Sequence, residues 1–109
     1  MDIEHIQEMV RKGYVIATDH FRKRRGERKF SMRQVKQAIY EGRIIEERPK
    51  QKPYPECLIM GEVDKYVSDL NISFKTPLFV VCGVGNDIYL ITADWNIPRE
   101  WGQKVRPRR

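Results

Sequence analysis

The feature that most constrains this chain is a change of period at Gly42. Before it, apolar residues recur three and four apart; after it, they run together in short segments broken by Gly and Pro. A helical period turns one stripe of side chains toward a core, whereas an extended chain turns alternate side chains to opposite faces. The chain must therefore build helices first and strands second. Ile3, Ile6, Met9 and Val10 follow helical spacing, with Asp2 as N-cap and Gly13 as a stop, which predicts a helix over about residues 2–12. Ser31 and Gln34 have capping-box spacing, in which each side chain satisfies the other's free backbone N–H. Met32, Val35, Ala38 and Ile39 then form one apolar face, and Gly42 follows the last turn. Between these two helices, Thr18 or Asp19 caps a short helix carrying His20 to about Glu27, weakened by Gly26. Tyr14 to Ala17 reads as an extended link or a brief strand.

Beyond Gly42, strands are predicted over Arg43–Glu47, Cys57–Val63, Leu78–Val84 and Ile88–Ala93. Gly85-Asn86-Asp87 joins the last two as a tight hairpin turn. Asp64 to Thr76 is polar and variable and reads as a long loop. The expectation is an α+β fold: N-terminal helices packed on one face of a twisted antiparallel sheet of about four strands. The absence of β–α–β alternation argues against a doubly wound nucleotide-binding fold. At 109 residues the chain has room for one core, so residues 1–101 read as a single domain and 102–109 as a basic tail.

The net charge of +6 is unevenly spread. Arg22 to Lys29 holds six basic residues against Glu27, and Arg99 to Arg109 holds five against Glu100. The rest of the chain is mildly acidic. Positive charge gathered in two segments attracts a phosphate backbone or an acidic protein, although two solvated faces would also keep a chain soluble. Cys57 and Cys82 lie in apolar runs without metal-ligand spacing and read as small buried hydrophobes of a reducing cytosol. The polar N-terminal stretch reads as no signal peptide, and no apolar run reaches the ~20 residues of a membrane span. A cytoplasmic location is therefore expected, with no membrane, metal or cofactor among its partners.

His20, Arg24 and Arg28 recur every four residues, which stacks them along one face of a helix. Guanidinium forks bind phosphate oxygens in pairs, and imidazole exchanges protons near neutral pH. Metal-free RNA cleavage uses such parts: a base for the 2′-hydroxyl, an acid for the leaving oxygen, and cations on the developing charge. The same face would also serve a binding module that performs no reaction. The candidate catalytic residues are thus His20, Arg24 and Arg28. Arg22, Lys23, Arg25, Lys29 and Arg106 are candidate backbone contacts, and Tyr54 and Trp95 are candidate stacking residues. Tyr54 sits between Pro53 and Pro55, and Trp95 follows the last strand, where a tryptophan more often covers the edge of the core.

Gly13-Tyr14, Thr18-Asp19-His20, Arg24, Arg28, Phe30-Ser31 and Val35 resemble the bacterial domain-of-unknown-function family 4258. The resemblance continues through Gly42-Arg43-Ile44-Ile45-Glu46, Tyr54 to Gly61, Pro77 to Val81, Ile91-Thr92-Ala93 and Trp101. Phe21 stands where that family usually has a small residue, and Arg25 where it usually has an apolar one. The resemblance implies the fold of RelE-like toxins, a group that includes metal-independent ribonucleases. It implies functional positions at His20, Arg24 and Arg28, with Tyr54, Thr92 and Asp94 matching less closely. RNA is then the expected partner, and an acidic antitoxin is expected to cover the basic face.

Overall fold

Ser31 starts the best-defined helix, because its hydroxyl accepts from Gln34 N at 3.1 Å while the Gln34 side chain accepts from Ser31 N at 2.9 Å. This is α3, Met32–Glu41, and it is preceded by α1, Ile3–Arg11, and α2, Asp19–Arg28, in a computed structural model that describes residues 1–101. Asp2 caps α1 by accepting from Glu4 N at 2.9 Å, and Gly13 ends its exit turn at a φ of 87°. Five strands complete the described fold: β1 Val15–Ala17, β2 Arg43–Arg48, β3 Glu56–Val67, β4 Ile72–Val84 and β5 Ile88–Asp94. None of the described helices is long and apolar enough to cross a membrane.

The strands form one sheet in the order β1-β5-β4-β3-β2. β2, β3, β4 and β5 pair antiparallel, as their sequence order predicts, and the turn at 85–87 closes with Gly85 N donating to Asp87 O at 3.0 Å. Two expectations need correction. The sheet is mixed and has a fifth strand, because Val15–Ala17 pairs parallel with Ile88–Leu90. Three residues are too few to show a period, so only the partner strand reveals them as a strand. The expected loop at 64–76 is instead a β-ribbon, with Asp64 opposite Lys75 and Val67 opposite Ile72 around a 3₁₀ turn at Ser68–Leu70. Its polarity misled because most of this ribbon faces solvent on both sides, and cross-strand pairing rather than burial holds it extended. The tail expected at 102–109 lies outside the described residues.

The helices cover one face of the sheet. Ile6, Phe21, Val35, Ala38 and Ile39 meet Ile59, Val63, Val80, Ile88 and Leu90 in a single core. Each fully buried aliphatic or aromatic side chain there contributes about 1.5–3 kcal/mol. Cys57 and Cys82 lie opposite each other in this core as free, fully buried thiols. Burial pushes Cys57 up to about 12 and Cys82 well above its ordinary value, so both pack as protonated, inert groups. The other face has a smaller cluster in which Trp101 lies against Leu58, Phe79 and Val81.

α3 sits on β3 backbone to backbone. A Cβ at Gly61 would stand 2.2 Å from the Ala38 carbonyl oxygen and 2.6 Å from its Cα. Gly61→Ala should therefore lower the unfolding free energy by about 1–3 kcal/mol through overpacking, measured by urea titration. An unchanged midpoint would show that α3 lifts from the sheet at no cost.

Candidate functional site

Thr18 fixes α2 to the sheet. Its backbone N–H donates to Leu90 O at 3.1 Å, its hydroxyl donates to the same oxygen at 2.9 Å, and the hydroxyl accepts from Phe21 N at 3.2 Å. Phe21 then points into the core and meets Phe30 edge-on, with ring centroids 5.5 Å apart. Because Phe21 faces inward, His20, Arg24 and Arg28 line a cleft of about 790 Å³ on the face of the sheet that carries no helix. Gly26 does not break the helix. It runs to Arg28, and Lys29 closes it at a φ of 57° while donating to Arg25 O at 2.9 Å.

Two β-bulges shape the cleft floor. Between β4 and β5 the register shifts, so that Val81 pairs with Thr92 while the next residue, Cys82, pairs with Leu90. Ile91 is the extra residue; Ile91 and Thr92 both line the cleft, while Leu90 and Ala93 stay in the core. A second shift between β2 and β3, at Ile45, precedes Glu46 and Arg48. Arg48 lies over the Trp101 ring at 3.9 Å from its centroid and donates to Glu100 O.

Four arginines thus line the cleft, Arg24, Arg28, Arg48 and Arg99, together with His20 and the carboxylates of Glu56, Asp94 and Glu100. Arg24 Nε donates to His20 Nε2 at 3.4 Å, and its Nη1 meets Glu27 Oε1 at 2.8 Å. Arg28 forms a close ion pair with Asp94, itself held by the bond from Asn96 N to Oδ1 at 3.3 Å. Burial pushes the Glu56 carboxyl above the ordinary glutamate range, Arg48 draws it partly back, and Glu100 pushes it further up. Among the described residues, no three His, Cys, Asp or Glu side chains gather as a metal-binding group.

The remaining expected residues separate from this cleft. Arg22, Lys23, Arg25 and Lys29 are exposed on α2 or at its end, outside the cleft lining, with Arg22 paired to Asp19 at 3.4 Å. Trp95 packs on the edge of the helix-side core; its Nε1 donates to Arg28 O at 2.7 Å, and Lys65 Nζ lies 4.1 Å above its ring. Tyr54 is half-buried beside the cleft, stacked on Tyr89. Arg106 lies outside the described residues. Sequence reasoning missed Arg48, Arg99, Gln51 and Glu56 as cleft residues. A strand-end arginine and a carboxylate at a strand start carry no local signal, because only sheet pairing brings them beside α2.

The family model of Domain of unknown function (DUF4258) matches residues 17–93, which include α2, α3 and most of the sheet. No curated protein and no solved structure matches the chain.

The raised Glu56 carboxyl makes a prediction about stability. The folded carboxyl holds its proton more tightly than the unfolded one does. Its contribution to the fold is therefore present below the unfolded glutamate range and lost as pH rises through the folded value. The difference in Tm between Glu56→Gln and the native chain should accordingly move in the variant's favour between pH 4 and pH 7. A difference independent of pH would remove burial as the cause.

Proposed function

The chain belongs to the family of Domain of unknown function (DUF4258), and on that premise we propose that it is an RNA-directed protein of the toxin type, acting as a metal-independent endoribonuclease. The observation that carries this reading is the gathering of His20, Arg24, Arg28, Arg48 and Arg99 around one cleft with a carboxyl of raised proton affinity at Glu56. An RNA backbone supplies a phosphate for the guanidinium forks and a 2′-hydroxyl for the base.

In this reading His20 takes the proton from the 2′-hydroxyl. The oxygen attacks the adjacent phosphorus, the bond from phosphorus to the 5′-oxygen breaks, and a 2′,3′-cyclic phosphate forms. Glu56, whose proton affinity burial raises, returns a proton to the departing 5′-oxygen. Arg24 and Arg28 hold the phosphate as its negative charge develops. The order of helices and then strands supports grouping the fold with RelE-like toxins. An acidic antitoxin would suit the exposed basic residues of α2.

A second reading rests on a specific observation. Arg28 is already paired with Asp94, and Arg24 with Glu27. Forks held in this way would suit a binding module that docks RNA without cutting it.

Total RNA incubated with the purified protein in EDTA separates the two readings. The native chain should cleave, and His20→Ala should lose at least about 100-fold in rate, the usual contribution of a general acid or base. Retained RNA binding with no cleavage by either protein, ribosomes included, would sink the ribonuclease and leave the module.

A further inference from the structure

The open face of the sheet carries an aromatic pair beside the cationic cleft. Tyr54 and Tyr89 stack with ring centroids 4.2 Å apart and planes 11° from parallel. Both are half-buried. Glycines make room for them: a Cβ at Gly85 would fall 2.8 Å from Cδ1 of Tyr54 and 3.4 Å from Cε2 of Tyr89. A Cβ at Gly83 would lie 3.5 Å from the Cβ of each tyrosine and 3.6 Å from Cδ1 of Ile91. Ile91 lines the cleft, so Gly83 lies between the tyrosine pair and the cleft wall.

The chain path makes the same connection. Tyr54 belongs to the loop between β2 and β3, and residues at both ends of that loop, Arg48 with Gln51 and then Glu56, line the cleft. Exposed Lys50 and Lys52 precede Tyr54 on this loop. Phosphate-binding guanidinium groups and a stacking surface therefore meet on one face. That combination fits a strand whose bases are unpaired, since a duplex offers its phosphates but hides its ring faces.

We propose that Tyr54 and Tyr89 form a stacking platform for an unpaired RNA base next to the phosphate held in the arginine cleft. The proposal rests on the RNA-directed reading above but adds a subsite that reading does not require. The platform selects single-stranded over double-stranded RNA without reading sequence, because every base has a ring face. It also fixes the strand's register, so that one phosphate is presented to His20.

Two fluorescein-labelled probes of equal length and charge test this by anisotropy: a ten-nucleotide unstructured RNA and an abasic strand with the same sugar-phosphate backbone. The native chain should bind the base-bearing strand about 10-fold more tightly, the expected worth of one stacked base. Tyr54→Leu with Tyr89→Leu should abolish that preference while leaving abasic binding unchanged. Tyr54→Phe with Tyr89→Phe should keep it, and Tyr54→Leu alone, in a loop, provides a variant of low folding risk. Equal binding of both strands by the native chain, or a preference that survives the leucine changes, would overturn the platform. Arg24→Glu with Arg28→Glu tests the underlying reading separately, because it should weaken both strands together. If it weakens neither while the tyrosine result holds, the platform stands and the phosphate cleft falls. If both strands are weakened but no base preference exists, the reverse is true.

Discussion

The candidate site depends on how one threonine joins a strand to a helix. Thr18 is the residue after β1 and the cap of α2, and it bonds to Leu90 O with both its N–H and its hydroxyl. The same hydroxyl satisfies Phe21 N. That junction sets the rotation of α2 about its own axis. Phe21 is thereby committed to the core, and His20, Arg24 and Arg28, a neighbouring stripe on the same helix, are committed to the flank that meets the cleft. Rotating α2 by a quarter turn would bury a guanidinium and expose a phenyl ring, and both changes are costly. The His20–Arg24–Arg28 face thus follows from core packing as much as from any functional group.

The second determinant is the sheet's irregularity. A regular β5 would turn Thr92 into the core beneath the helices. The bulge at Ile91 instead places Ile91 and Thr92 together on the open face and brings Ala93 back to the core, where a small side chain fits. The bulge at Ile45 acts similarly on β2 ahead of Arg48. Trp101 then covers the middle of this face, and the Arg48 guanidinium covers Trp101. The cleft is the space left between that cover and α2, which is why its charges come from α2, β2, β3, β5 and the segment after β5.

The cleft is also of mixed sign. Asp94 and Glu56 stand among four arginines, so the site is neither a simple cation patch nor a closed network of ion pairs. Asp94 holds one arginine in place, whereas Glu56 is disfavoured as an anion by its burial.

Local sequence determined the helices and most strands, because capping boxes, apolar periods and hairpin turns act within a few residues of one another. Ser31 with Gln34, and Gly85 to Asp87, are satisfied as their spacing requires. The histidine–arginine face was legible for the same reason, being a matter of helical spacing on α2. Tertiary structure decided what depends on a distant partner. β1 exists because β5 is there to pair with it, and the ribbon at 64–76 exists because its two polar halves pair with each other. Trp95 went to the core edge because the Arg28 carbonyl awaited its N–H. Arg48, Arg99 and Glu56 joined His20 only once the sheet had aligned segments more than 25 residues apart in the chain. Spacing of three or four residues is written into a helix, whereas neighbours across a sheet are chosen by register, and register is a property of the whole fold.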